Sequence, residues 1–301
     1  MTFIPLKARG IAYIISAAFF YSLMSLFVRL SGDIPVMQKA FFRNIIAASV
    51  ALAIMVQRKD HRDLHSAVSN HWFALLMRTV FGTLGLVCNF WAVDHLPIAD
   101  TNMLNKMAPF FAILMSIPIV REHPKKIDLF CVVGAFIGAL FVLKPGGGVA
   151  SFPALIALFG GFCSGTAYAF IRQMRTHGVP GSVIIFFFSL CSALVCLPFL
   201  LFNYAPMTER QMVFLLMTGL TAAGGQISVT AAYACAPARE ISVFDYSQVL
   251  FAALFGIFIF AEIPDVYSII GYVVIIGMAI LRWHLNLHGA IGHTPRPEMF
   301  S

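Results

Sequence analysis

Charge is scarce in this chain. Only 11% of its 301 residues are Asp, Glu, Lys or Arg, while 60% are apolar. A soluble domain of this length needs far more charge to cover its surface, so a water-soluble globule is excluded. Acids are the scarcer sign, 13 against 20 Lys and Arg, which leaves a net charge of +7. The excess does not call for nucleic acid, because no basic cluster is interleaved with aromatics in a soluble region. Paired cysteines are missing too. Cys88, Cys131, Cys163, Cys191, Cys196 and Cys235 all lie in apolar runs and none forms C-x-x-C. They read as small buried apolar residues, not as a disulfide framework or a metal site. There is no G-x-x-x-x-G-K-[ST] phosphate loop, so the chain is not by itself an ATP-driven pump; H-E-x-x-H and G-x-S-x-G are also lacking. His61, His65, His284, His288 and His293 read as solvated loop and tail residues. No cofactor, metal or catalytic residue is expected.

What is present is apolar sequence in long runs, with a mean hydropathy of +0.87. A spanning helix needs about 20 mainly apolar residues. Ten stretches fit: Ala8–Leu30, Val36–Val56, Trp72–His95, Ile98–Val120, Ile127–Leu143, Pro153–Met174, Ser182–Asn203, Gln211–Ala236, Arg239–Phe260 and Asp265–Leu285. Turn and charge clusters separate them, among them Ser31-Gly32-Asp33, Gln57 to Asn70, Pro145 to Gly148 and Pro206 to Arg210. Lys7 and Arg9 precede the first run as in a signal peptide. That run is too long for one and no small-x-small cleavage site follows, so it is expected to stay as the first span.

Lys and Arg set the orientation. With the N-terminus inside, thirteen of the 20 flank the inner ends, five flank the outer ends, and Arg78 and Lys106 lie within spans. Both termini are therefore expected in the cytoplasm, the chain being multi-pass in a bacterial inner (plasma) membrane.

The chain also repeats itself. Trp72 to Pro124 lies on Met212 to Pro264 at a constant offset of 140 residues. Leu75-Leu76-Met77 falls on Leu215-Leu216-Met217, Pro97 on Pro237, Phe111-Ala112 on Phe251-Ala252, and Glu122-His123-Pro124 on Glu262-Ile263-Pro264. Phe27-Val28-Arg29 matches Phe170-Ile171-Arg172 at a slightly different offset. Five spans per half invert the second copy, which is the ground plan of a carrier whose halves rock around a central site. The expected fold is an all-α membrane protein of ten helices, two inverted five-helix repeats around a central cavity. Residues 1–145 form the first repeat, 146–285 the second, and 286–301 a cytoplasmic tail.

The run Leu96-Pro97-Ile98-Ala99-Asp100 through Pro109-Phe110-Phe111 to Glu122, and its copy Asp245-Tyr246 through Phe251-Ala252 to Glu262-Ile263-Pro264, resemble an EamA-type repeat. Over nearly its full length the chain resembles the drug/metabolite transporter superfamily. The resemblance implies a ten-helix bundle with a central cavity that moves small organic molecules. It allows import as well as export, and does not specify a solute. Lys106 departs from the family pattern, because many members have an uncharged residue there.

Ionisable side chains inside the bilayer cost at least about 2.5–3.5 kcal/mol each and normally face a cavity or a partner. Lys106 lies about 12 Å below the outer end of span 4 by helix rise. Asn102 is one turn earlier, Asn105 is adjacent, and no acid is expected at that depth. An unpaired ammonium there is a receptor for a carboxylate or phosphate, unless it snorkels to the headgroups. Arg43, beside Asn44 on span 2, would make the outer half of the cavity more cationic, whereas Lys39 reads as a rim charge. Asp245, near Tyr246, Ser247 and Gln248, lies at a depth similar to Arg78. An Asp245–Arg78 pair would be structural or an inner gate. Tyr246, Gln248, Trp91, Tyr168 and Tyr233 are candidate lining residues. Gly82, Gly85 and Asn89 share a face with Arg78, and this stripe, like Gly134/Gly138 and Gly161/Gly165, reads mainly as helix packing. Glu122 and Glu262 are expected to organise loop backbone.

The residues thus point to a secondary carrier of an amino acid or other carboxylate-bearing solute. Substrate contacts are expected from Lys106, Asn102, Asn105, Arg43, Tyr246, Gln248 and Trp91, and gating or coupling from Asp245 and Arg78. An importer of a vitamin, nucleoside-like or S-adenosylmethionine-like solute is the alternative within that class. A polytopic enzyme acting on lipid intermediates is the alternative outside it, weakened by the lack of clustered His, Asp or Glu. The partners are a small-molecule solute and the lipid bilayer, with no nucleic acid, and a homodimer is left open.

Overall fold

The computed structural model describes residues 6–60, 64–121, 124–144, 151–235 and 241–291. Helices fill nearly all of them: α1 Leu6–Leu30, α2 Val36–Gln57, α3 Leu64–His95, α4 Ile98–Asn105, α5 Ala108–Val120, α6 Lys126–Leu143, α7 Ser151–Thr176, α8 Gly181–Phe202 and α9 Glu209–Cys235. After residues 236–240 come a 3-10 turn, Ser242–Tyr246, then α10 Ser247–Phe260 and α11 Val266–Ile291. Among the described residues ten helical segments are long and apolar enough to cross a membrane. They match the ten expected from the sequence, with α4 and α5 sharing the fourth and the 3-10 turn and α10 the ninth. Ten crossings bring Leu6 and Ile291 to one end of the bundle, called here the near end; the other is the far end.

Local chemistry sets the boundaries. Pro35, Pro97 and Pro180 sit immediately before α2, α4 and α8. Their fixed φ starts a helix, and their lack of an N–H costs nothing there. The loop expected from Gln57 to Asn70 is shorter than that. α3 already begins at Leu64, and a non-helical His71 (φ −129°, ψ 24°) separates this extra turn from the spanning part. The crossing therefore starts at Trp72, as the apolar run requires.

The repeat is visible in the backbone. α5 ends on Arg121 (φ 60°) and α10 on Ala261 (φ 55°), two left-handed residues that occupy equivalent positions. The break between α4 and α5 at Lys106 and Met107 corresponds to the change from 3-10 turn to α10 at Tyr246 and Ser247. Packing follows the same pseudo-two-fold. α1 packs on α9 as α7 packs on α3, α5 packs on α7 as α10 packs on α1, and α2–α8 and α6–α11 face each other across the axis.

Helices in lipid gain nothing from hiding apolar surface from one another, so close contact relies on small residues. Gly134 and Gly138 let α6 meet α11: a Cβ on Gly134 would lie 2.4 Å from Met278, and one on Gly138 3.1 Å from the Gly271 carbonyl. Gly161 and Gly165 carry the broken span. Their Cβ positions lie 2.8 Å from the Leu104 carbonyl and 2.5 Å from the Ala108 carbonyl, one on each side of the break. In the other half, Ser22 occupies the place of Gly165 and donates its hydroxyl to the Gln248 carbonyl at 2.9 Å.

Charged pairs tie the ends. At the far end Arg29 reaches Glu262 at 2.6 Å and donates to the Val93 and Leu96 carbonyls. The second Glu262 oxygen accepts the Ile98 N–H at 3.0 Å. Glu262 therefore caps α4 and organises loop backbone, as expected. Lys39 is not a rim charge: it is fully buried and bonds Asp94 at 2.7 Å and the Val28 carbonyl at 3.1 Å. Lys144–Asp265 joins α6 to α11 at the far end, and Arg282–Asp128 does so at the near end. Glu122, His61 and His293 lie outside the described residues, as do the side chains of Tyr233 and His288.

The glycine contacts are testable. Gly165→Ala puts a methyl against two backbone groups that cannot move aside, so it should cost about 1–3 kcal/mol in stability. Gly277→Ala, with nothing within 4 Å of the new carbon, should leave the protein as stable or slightly more so. Thermal unfolding of the two variants in detergent would show the contrast; equal melting temperatures would contradict the packing described.

Candidate functional site

The two broken spans meet at their breaks. Lys106, which caps the C-terminal end of α4, forms an ion pair with Asp245 of the 3-10 turn. The Tyr246 hydroxyl donates to the Lys106 carbonyl at 3.2 Å. Tyr246 is the repeat equivalent of Lys106, and Asp245 that of Asn105. Breaking a helix inside a membrane frees backbone groups that need new partners, and the opposite half supplies one here.

This corrects two expectations. Lys106 is not without an acid, and Asp245 does not pair with Arg78. Lys106 and Asp245 both lie where their spans are interrupted, and the two interruptions pack against each other across the halves, which a count of residues from the span ends does not register.

Asn102 and Gln248 form a second junction just beyond the first. The Asn102 Oδ1 accepts from the Gln248 amide at 2.5 Å and from the Ser25 hydroxyl at 3.3 Å, and its own amide donates to the Ile98 carbonyl. Both side chains are buried and committed to holding α1, α4 and α10 together. Asn105 is half-buried at the end of α4, beside Gly161 of α7. Trp91 is elsewhere. It stacks on His95 with centroids 3.8 Å apart and meets Phe152 edge-on. At 3.6 residues per turn it lies on the opposite side of α3 from the Arg78–Gly82–Asn89 face. The structure does not bring it to the charged centre.

Arg43 and Arg78 come together instead. Both guanidinium groups lie over one aromatic ring, Phe188 of α8, with Cζ 5.9 Å and 3.9 Å from its centroid. Arg43 Nη1 donates to Asn44 Oδ1 at 2.7 Å, and Asn44 is held by Ser192 of α8. Among the described residues no carboxylate pairs with either arginine, and the Nε of each is buried without a hydrogen-bond partner. Gly82 makes room for this arrangement. A Cβ there would lie 1.9 Å from Arg78 Nη1 and 2.8 Å from the Phe188 ring, so the glycine stripe serves the arginine as well as packing.

Tyr168 marks open space in front of these charges. Its hydroxyl feels Asp245, Arg78 and Arg43, yet 48% of its surface is exposed. Exposure of that size beside the bundle's central charges favours a hollow at this point. Asp245 Oδ1, Thr83 Oγ1, Ser189 Oγ and Ser247 Oγ are also buried without protein partners. Such atoms are rare in folded proteins unless water or a ligand reaches them. Phe188 carried no signal of its own within the Phe186-Phe187-Phe188 run. The repeat could have found it, since Arg43 and Phe188 each lie seven residues into α2 and α8, the second spans of the two halves.

Two other concavities lie away from this centre. One of about 520 Å³ at the near end is lined by residues that include Phe73, Arg121, Gln173 and His177. One of about 450 Å³ is a groove lined only by apolar residues of α5, α6 and α7, a surface suited to acyl chains. Neither touches Arg43, Arg78, Lys106 or Asp245. Polar groups converging on a hollow are the better mark of a solute site.

The central pair can be tested by its coupling. Lys106→Met leaves a carboxylate without its cation and should lower the melting temperature, as should Asp245→Asn. Lys106→Met/Asp245→Asn, with both charges gone, should be more stable than the sum of the two losses implies. Additive losses in thermal unfolding would show that the two side chains do not interact.

The geometry has known counterparts. The model of the EamA-like transporter family matches residues 8–144 and again 151–282. The chain is 30% identical to a pseudopaline exporter of Pseudomonas aeruginosa over 91% of its own length and 95% of that protein. It is 26% identical to a riboflavin transporter of Brucella anthropi, covering 82% of this chain and 87% of the relative. A solved crystal structure superposes with a TM-score of 0.66 at 14% identity, over 93% of this chain and 98% of the other, which is a likeness of fold. Ten apolar helices and bacterial transporter relatives fit a multi-pass inner-membrane protein and not an enzyme. With both halves matched, the chain belongs to the EamA-like transporter family.

Proposed function

We propose that this transporter is a secondary carrier for a small carboxylate-bearing solute, an amino acid or a compound like one, and that it works by alternating access. One observation carries the reading: Arg43 and Arg78 lie in the bundle interior, and among the described residues no acid is paired to either. Unpaired cations inside a membrane are costly, and an anionic solute would offset that cost each time it bound. The planar guanidinium fork suits a carboxylate. Asp245 keeps one oxygen without a partner, which is a place for a solute's ammonium group. In this reading Lys106 holds Asp245 in position, while Asn102 and Gln248 hold the helix breaks.

The sequence has no nucleotide-binding loop, which favours a carrier driven by gradients. The Lys and Arg excess favours a cytoplasmic near end. With the far end tied by Arg29, Glu262 and Lys39, the conformation described would open toward the cytoplasm. The exporter among the relatives makes outward movement the preferred direction.

Reconstituted vesicles test this. Preloaded with unlabelled amino acids, they should accumulate labelled amino acid by counterflow. Arg43→Gln and Arg78→Gln should each lower the initial rate at least tenfold while unfolding at the wild-type temperature. Wild-type rates in both variants would refute the reading. Turnover of a lipid with no solute flux would favour a membrane enzyme instead.

A further inference from the structure

The arrangement of the two arginines says more about the solute, provided that it is a carboxylate as proposed above. Arg43 and Arg78 share the Phe188 ring, so their guanidinium carbons are at most about 10 Å apart, the sum of their distances of 5.9 and 3.9 Å from one centroid. They are near enough to repel one another. One carboxylate would satisfy one of them and leave the other charged. Among the described residues the centre holds three cations, Arg43, Arg78 and Lys106, against the single carboxylate of Asp245. Two positive charges remain.

We infer that the solute carries two acidic groups, and that it bridges Arg43 and Arg78 across the face of Phe188. The parts are held for that task. Asn44 steadies Arg43 and is itself fixed by Ser192. Gly82 lets the Arg78 guanidinium lie against the ring. The ring is nearly fully buried and cannot swing away. Tyr168 adds a hydroxyl within the field of both arginines and Asp245. A dianion cancels the residual charge; a neutral zwitterion does not.

Matched probes isolate the second acid. L-glutamate and L-glutamine have nearly the same shape and differ by one charge, as do glutarate and pentanoate. Half-saturation in a thermal-shift titration of the purified wild-type protein should be at least tenfold lower for glutamate than for glutamine, and for glutarate than for pentanoate. Arg78→Gln should erase that preference, raising half-saturation more for the diacid than for the monoacid in each pair, and Arg78→Lys should keep part of it. Equal half-saturation within each pair of probes would overturn the inference and leave the carrier of carboxylates standing. If none of the four compounds stabilises the protein, or moves in vesicles, both fail together. The wild-type comparison needs no variant, so a substitution that fails to fold does not obscure the result.

Discussion

The structure depends on how two interrupted helices are completed by each other. A helix broken at mid-membrane exposes peptide groups to a solvent that cannot bind them, and such a break survives only against protein or water. Here the carbonyl of Lys106 takes the Tyr246 hydroxyl, and the Lys106 ammonium takes Asp245. The Asn102–Gln248–Ser25 cluster joins the same elements one turn on. Each half thus supplies what the other's break lacks. Because the pieces are repeat equivalents, the junction lies near the axis relating the halves, where a rocking motion displaces it least.

Charge is distributed to suit that frame. At the ends of the bundle each described ion pair joins elements that must stay together or part as units: Arg29 with Glu262, Lys39 with Asp94, Lys144 with Asp265, Arg282 with Asp128. At the centre of the bundle, among the described residues, Lys106 has an acid. Arg43 and Arg78 have an aromatic face and an amide instead, which gives part of what a carboxylate would give. A paired interior charge is neutral toward a solute, whereas an unsatisfied one is a demand for it.

Much of this could be read from the residues alone. The spans follow from apolar length, and the start of the third crossing at Trp72 survived the discovery of helix before it, because His71 breaks the chain where the apolar run begins. The inverted repeat follows from the offset of 140, and it reappears in the left-handed Arg121 and Ala261. Depth was the weak link. Residue counting assumes unbroken helices, and the fourth and ninth spans are both interrupted. Counted depth alone sets Asp245 beside Arg78, whereas the meeting of the two interruptions sets it beside Lys106. Rotation about the axis was legible: Trp91 lies about 200° from Asn89 at 3.6 residues per turn, so periodicity alone sets it on the other side of α3 from the Arg78 face. Phe188 was invisible because nothing local separates it from the two phenylalanines before it.

The central claim is a water-filled, positively charged hollow bordered by Tyr168. A cysteine placed there, Tyr168→Cys in a chain whose six native cysteines are replaced, reports on both properties. An anionic methanethiosulfonate should modify it faster than a cationic one of similar size by tenfold or more, once each rate is divided by that with a free thiol. The advantage should shrink at high salt. Reaction only with membrane-soluble reagents, or a preference for the cationic reagent, would contradict the account.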